Sequence, residues 1–333
     1  MRRILYLIKR IIHLDYKNMF KIAKSISKKT KHNRLYIIFD MIYCGLKYQA
    51  GYYDYQEFEF YNLNKDERKT YLTRGKNNEI VRRFNDKSFL HKFENKIEFN
   101  RVFEKFLKRD WLYLDNNNID EFVKFFASHS SIIVKPVDST GGKGVEKFAY
   151  SNDEDAKKIY NSLIENKQLL VEECINQHED MSKLYDKSVN TLRMFTFYKN
   201  GQAYFLQAVL KIGNGGVVDN FSSGGMYTYV DENGTVFVEA IDQADNIFFK
   251  HPISNTQIVG FKVPMFEEAV KLVKECAKVI PEVSYVGWDV AISKDGPVIV
   301  EGNCFPGVYQ VKPSLSKKKE GLIPKYNAIM NIF

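Results

Sequence analysis

The stretch VGWDVAISKDGPVIVEGNCFPGV, Val286 to Val308, constrains the fold most, because its two apolar runs carry acids on either side of Lys-Asp-Gly. Apolar runs flanking a glycine-containing turn predict a β-hairpin. Side chains alternate faces with a period of two, so Glu301 and Asn303 share one face. Whether Asp289 joins them depends on the loop. A three-residue loop, Asp295-Gly296-Pro297, is expected, which sets Asp289 opposite Asn303; a two-residue loop would turn it to the other side. Carboxylates in strands this apolar are costly unless compensated. Two carboxylates and an amide oxygen on one face make a hard oxygen site, suited to magnesium bridging nucleotide phosphates. The plainer alternative pairs Asp289 and Glu301 with lysines or arginines.

From about Arg109 onward the chain alternates strand-like and helical runs. SSIIVKP, VEKFAY, the helix DEDAKKIYNSLIEN, QLLVEECI, NTLRMFTFY, GQAYFLQAVLKIG and TVFVEA precede a long amphipathic helix, FEEAVKLVKECAKVI. Tight turns such as Lys199-Asn200-Gly201 join neighbours, so the class is α+β with largely antiparallel sheets. With 333 residues, 44% of them hydrophobic, the chain can bury a core in two or three domains.

A second stretch, SIIVKPVDSTGGKGVEKF, Ser131 to Phe148, leads from one strand through Asp-Ser-Thr-Gly-Gly-Lys-Gly to another. Glycines let backbone N–H groups approach an anion, and a nearby lysine adds a point charge. A Walker A loop would open directly into a helix, whereas Gly144 precedes the strand-like Val145-Glu146-Lys147-Phe148. A glycine-rich hairpin folding over a nucleotide as a lid is therefore expected; a purely conformational turn is the alternative.

The amino-terminal third differs. From Met1 to Arg34 a run of lysines and arginines faces a single acid, Asp15, and Ile4, Leu5, Ile8, Ile11 and Ile12 recur at helical spacing. Such a helix could lie on an anionic membrane surface or dock on its own domain. Lys9, Arg10 and His13 interrupt it before a signal-peptide core or membrane span forms. Beyond it a tyrosine-rich, mostly helical region is expected, with a short extended piece around Tyr52 to Phe60. A further helix is expected over Lys96 to Lys108. Cys44, Cys174, Cys276 and Cys304 show neither zinc nor disulfide spacing, which points to the reducing cytosol. No nucleic-acid recognition module is visible.

Lysine on the strand before a glycine lid (Ile133-Val134-Lys135-Pro136), a strand ending in acids (Leu170 to Ile175) and a terminal Asp…Glu-x-Asn set together resemble the ATP-grasp superfamily. The phrases SVNTLRMFTF, DNFSSGGMY and VGWDVAISKDGPVIVEGN narrow the resemblance to the sugar-transfer-associated ATP-grasp proteins of bacterial surface-polysaccharide loci. It covers roughly Phe93 to Val311. It implies two α+β lobes gripping ATP, residues 91–172 and 173–333, behind a helical region of residues 1–90.

By that resemblance Lys96 and Lys135 meet the nucleotide phosphates, and Ser139, Thr140, Gly141, Gly142, Lys143 and Gly144 form the lid. Glu172, Glu173, Cys174 and Ile175 form the hinge strand beside adenine, with Glu179 or Asp180 on the ribose. Asp289, Glu301 and Asn303 hold magnesium. Arg193 and Lys211 lie near the transferred phosphate, while Asn190, Asn220, Ser223, Gly224 and Gly225 border the acceptor. The implied reaction is ATP-dependent carboxylate-amine ligation through an acyl phosphate, on a glycan or small molecule joined to an amine or amino acid. A kinase and a non-catalytic nucleotide-binding module are the rivals. The expected location is cytoplasmic, with peripheral membrane contact through residues 1–31.

Overall fold

The computed structural model describes residues 15–139 and 141–333. The apolar stripe expected at Ile4 to Ile12 and the lid residue Thr140 lie outside the described residues. The chain divides into two compact units, Met1–Arg83 with Gly307–Phe333, and Phe84–Pro306.

Described residues of the first unit are helical. Helix α1, Tyr16–Thr30, starts where the Asp15 carboxylate accepts the Asn18 N–H at 3.0 Å, and it buries Met19, Ile22, Ala23 and Ile26, one helical face. Helix α2, Arg34–Tyr48, buries Ile37, Met41, Cys44 and Tyr48 in the same manner. The extended piece expected around Tyr52 to Phe60 is instead the helix Tyr52–Glu57 followed by a 3-10 turn, Phe60–Asn62. Asp54 explains the difference, since its carboxylate accepts the Gly51 N–H at 2.9 Å and closes a helix start that aromatic content does not reveal. Arg68 grips Asp40 at 2.8 and 2.6 Å, and the Tyr55 hydroxyl donates to the same carboxylate at 2.7 Å. The returning segment is tied in by Gln310, whose amide exchanges hydrogen bonds with the Leu72 backbone, both at 3.1 Å.

The second unit contains two antiparallel sheets. Helix α3, Lys96–Leu107, matches the expected span to within one residue. Strand β1 is Trp111–Tyr113, helix α4 is Ile119–Ser128, β2 is Ser131–Lys135, β3 is Glu146–Ala149, helix α5 is Asp153–Glu165 and β4 is Leu170–Glu173. The four strands pair in the order β1-β4-β2-β3. Period-two alternation buries Ile132 and Val134 against Phe122, Phe126, Tyr160 and Leu163 of α4 and α5 and leaves Ile133 and Lys135 on the opposite face.

Helix α6, Glu179–Leu184, precedes the larger sheet. Its strands are β5 (Thr191–Lys199), β6 (Gln202–Ile212), β7 (Met226–Val230), β8 (Ala240–Asp242), β9 (Ile247–Phe248), β10 (Tyr285–Ser293) and β11 (Gly296–Asn303), in the order β11-β10-β5-β6-β7-β8-β9. Helix α7, Phe266–Cys276, buries Phe266, Ala269, Val273 and Cys276 in the same core. The β5-β6 hairpin turns through Asn200 and Gly201 at φ 52 and 80°, the pair of left-handed conformations a two-residue turn needs. Trp288 of β10 is fully buried. Its ring meets Phe103 of α3 edge-on at 5.3 Å, and its indole N–H donates to Thr196 Oγ1 at 2.9 Å.

One register differs from expectation. Ser293 pairs with Gly296, so the β10-β11 loop is Lys294-Asp295, two residues rather than three. By alternation alone that loop would turn Asp289 away from Glu301. Between Asp289 and Val290 the register shifts, because Val290 faces Ile299 while Asp289 faces Glu301, leaving Val300 as an extra bulged residue. The bulge restores the shared face: Asp289 lies opposite Glu301, and Asn303 lies opposite Gly287.

Candidate functional site

An open cleft runs between the two sheets of the second unit. On the four-stranded side Lys135 ends β2, and Glu172 of β4 faces Ile133 across the register. Glu172 is buried, ion-paired with Lys135 and with Arg109 at 2.8 Å, and accepts from the Asn100 amide at 3.0 Å. Burial by itself would raise its carboxyl, but the Arg109 and Lys135 charges more than offset this and hold it well below the usual carboxylate range. Lys96, at the first turn of α3, donates to the carbonyls of Ser139 and of Val137, the latter at 3.3 Å. Its ammonium is thus fixed under the base of the lid, and burial pulls its pKa below the ordinary lysine value.

The lid spans the residues between β2 and β3. Gly141, Gly142 and Gly144 all have φ near the left-handed region, at 70, 73 and 70°. At Gly142 the requirement is also steric, since a Cβ would come 2.4 Å from Asn220 Nδ2. Lys143 is exposed beside it.

The other wall is an ion-pair cluster on the seven-stranded sheet. Arg193 of β5 lies opposite Asp289 of β10, with Nε donating to Oδ1 at 2.5 Å and Nη2 to Oδ2 at 3.0 Å. Lys211, near the end of β6, donates to Asp289 Oδ2 at 3.1 Å and lies 3.5 Å from Asp219. Asp219 in turn accepts from the Thr191 N–H at 2.9 Å and from its hydroxyl at 2.5 Å. Burial would raise Asp289, but Arg193 and Lys211 hold it far below its ordinary value. Burial would lower Lys211, but Asp219 and Asp289 push it up instead. Glu301 is half-exposed and Arg193 Nη2 is 3.9 Å away; burial first, then the Asp289 charge, raises its carboxyl. Asp289 therefore realises the ion-pair alternative and also joins Glu301 at the cleft wall.

The residues present fit a divalent cation and a phosphate chain. Asp289, Glu301 and Asn303 offer oxygen donors, the hard ligands magnesium takes, and the Asp289 oxygens also accept from Arg193 and Lys211, so a cation there would share them with those two side chains. Lys96, Lys135 and the glycine lid supply cations and backbone donors for anionic oxygens. Asn303 lines the adjoining part of the cleft, beside Glu301 and Lys96.

The remaining expected residues separate into two groups. Ser139, Gly141, Gly142, Glu173, Ile175 and Asn220 line the cleft with Lys96, Lys135, Glu172, Lys211, Asp289 and Glu301, whereas Arg193 and Lys143 do not line it. Gly144, Cys174, Asp180, Asn190, Ser223, Gly224 and Gly225 are not among its lining residues. The Asn190 side chain is committed inside the fold: its amide N–H groups donate to the carbonyls of Met181 at 2.9 Å and Tyr185 at 2.7 Å, and its oxygen accepts the Gly213 N–H at 3.0 Å. Asp180 is held at the first turn of α6 by Lys183 at 2.6 Å. Gly225 donates to the Asn220 carbonyl at 3.0 Å and so shapes the loop that carries Asn220. Arg109 and Asp219 also line the cleft, and nothing in the local sequence signals either. Arg109 follows a helix in a run of charges, and Asp219 sits in a glycine-rich loop without periodicity, so only the register of distant strands brings either one to the site.

Two antiparallel sheets enclosing a lysine-lined cleft with a glycine-rich loop and a carboxylate pair define an α+β protein with one cleft between two sheets. The chain belongs to the sugar-transfer associated ATP-grasp family, whose model matches residues 75–330. No curated protein matches it. Similar solved structures include D-alanyl-alanine synthetase A from Vibrio cholerae (13% identity, 70% of this chain and 59% of that one, TM-score 0.40). D-alanine–D-alanine ligase from Bacillus anthracis is similar at 14% identity, 72% and 66% coverage and TM-score 0.40. An L-amino acid ligase from Bacillus licheniformis is similar at 12%, 64% and 40%, with TM-score 0.38. The chain spans less than two thirds of the length of each of these proteins.

Proposed function

We propose that the protein is an ATP-dependent carboxylate-amine ligase that modifies a surface glycan or its precursor with an amino acid or similar group. The observation that carries this reading is the Asp289–Glu301 pair facing Lys96, Lys135 and the glycine lid across one cleft. The sugar-transfer association of the family supports the glycan, and the boundary at residues 172 and 173 then separates the lid-bearing lobe from the carboxylate-bearing one.

A substrate carboxylate oxygen attacks the γ-phosphorus of ATP, the bond to the β-phosphate oxygen breaks, and ADP leaves an acyl phosphate. An amine nitrogen then attacks the acyl carbon, the carbon-oxygen bond to phosphate breaks, and an amide and inorganic phosphate result, with the amine proton lost to solvent. Glu301, Asn303 and Asp289 would hold magnesium, which when bound would neutralise phosphoryl charge. Lys96 and Lys135 bind and orient the phosphates, the lid backbone excludes water, and Arg193 and Lys211 fix the Asp289 carboxylate while adding positive potential to that wall. No protein nucleophile is needed. Glu173 and Ile175 line the adenine end, and Asn220, on the loop that Gly225 shapes, borders the acceptor.

The test is an ADP-release screen of purified protein with magnesium-ATP, in which amino acids are crossed with uronic-acid and amino-sugar acceptors, followed by mass measurement of products. An amide product is expected. A stable phosphorylated hydroxyl without amide would replace this reading with a kinase, and tight ATP binding with no turnover on any pair would leave a binding module.

A further inference from the structure

Helix α2 is apolar on two opposite faces. One face, Ile37, Met41, Cys44 and Tyr48, is buried. The other carries Leu35, Phe39, Ile42 and Leu46, at i, i+4, i+7 and i+11, and these are 64, 69, 44 and 49% exposed. Tyr36 and Tyr43 widen it. A helix that is hydrophobic all round normally lies inside a core, and a contiguous exposed apolar face marks a docking surface.

The surroundings favour one occupant. On α1 the exposed Lys17, Lys21, Lys24 and Lys28 share one face, again at i, i+4, i+7 and i+11, and Lys31 and Arg34 follow in the connection. Arg34 bridges the two helices, with its guanidinium 5.9 Å over the exposed Phe20 ring of α1 and Nη2 donating to the Phe20 carbonyl at 3.4 Å. The only acids from Asp15 to Tyr48 are Asp15 and Asp40, and Asp40 is consumed by Arg68. Large apolar and aromatic side chains flanked by lysines, with almost no negative charge, complement an anionic lipid surface: the rings enter the acyl boundary and the lysines meet the headgroups. A protein partner would need acids placed to match the lysine row and a groove for the helix, whereas a lipid surface needs neither. We infer that the α1-α2 hairpin is a membrane-docking element that inserts Leu35, Phe39, Ile42 and Leu46 into anionic bilayers. This inference stands independently of the ligase reading.

The test is vesicle flotation of the full chain with phosphatidylcholine alone and mixed with phosphatidylglycerol. The protein should float with the mixed vesicles only. The exposed-site variant L35E/F39E/L46E should lose binding by about tenfold or more, and so should K21E/K24E, while ADP release in the absence of lipid stays unchanged. F39W, added to a chain whose two tryptophans are Trp111 and Trp288, should shift its emission to the blue on mixed vesicles, a readout that survives if the triple variant fails to fold. Flotation of the triple variant like the unsubstituted protein, absence of the blue shift, or failure of the unsubstituted protein to float would each overturn the inference. A concentration-dependent dimer abolished by L35E/F39E/L46E would do so too, by assigning the face to a second copy.

Discussion

Asp289 faces Glu301 across β10 and β11 because a single residue, Val300, bulges out of the ladder between them. The two-residue turn at Lys294-Asp295 sets one parity and the bulge sets the other, so the carboxylate pair depends on both. Restoring a regular ladder by deleting Val300 should separate the two carboxylates and abolish ADP release. Retained turnover in that variant would show that the opposition of Asp289 and Glu301 is dispensable.

Asp289→Asn removes the shared partner of two buried cations. Arg193 and Lys211 would lose the negative charge between them, and breaking a buried pair in this way costs about 3–5 kcal/mol. Urea unfolding should register that loss. Glu301→Gln, by contrast, alters a half-exposed group and should leave unfolding within about 1 kcal/mol of the parent while reducing magnesium-dependent ADP release by about a hundredfold. Unchanged turnover in Glu301→Gln would remove it from the metal assignment.

Lys96→Met tests the phosphate wall. Among the described residues the ammonium bonds to the lid-base carbonyls of Val137 and Ser139 and to no carboxylate, so the change leaves none of those acids unpaired. Nucleotide affinity, measured by calorimetry with magnesium-ADP, should fall by about tenfold or more with little change in Tm. Equal affinity would mean that Lys96 shapes the loop without meeting the nucleotide.

Gly142→Ala combines a left-handed backbone with a Cβ only 2.4 Å from Asn220 Nδ2. The Asn220 side chain would have to swing aside or the loop shift, and the left-handed backbone adds a strain of about 1–3 kcal/mol in that one loop. KM for ATP should rise while the urea midpoint moves little. A global loss of stability equal to the catalytic loss would show instead that the lid is part of the core.

The Glu172 cluster gives the chain a specific acid sensitivity. Its folded pKa is depressed by Arg109 and Lys135, so its contribution is fully present above the unfolded glutamate value of about 4.3. That contribution is lost as pH falls from there toward the folded value. Glu172→Gln should destabilise the protein strongly at pH 7, where two cations lose their partner. The gap between parent and variant should narrow as pH falls below about 4. A gap independent of pH would mean that the carboxylate charge is not what matters.

Sequence alone determined the α+β class, the antiparallel sheets, the helices over residues 96–107, 153–165 and 266–276, and the position of the glycine-rich β2-β3 loop. These follow from hydrophobic period and turn chemistry, which act over a few residues. It also marked Lys135, Asp289 and Glu301, because charges inside apolar runs are conspicuous wherever they occur. The tertiary structure alone decided which charges meet: Arg193 and Lys211 with Asp289, Arg109 with Glu172, Asp219 with Lys211. It likewise decided that Asn190 is spent inside the fold and that a bulge, not an odd loop, unites the carboxylates. The physical reason is range. Strand register and bulges are set by packing summed over whole sheets, and a one-residue shift that local sequence barely registers moves a side chain from one face to the other.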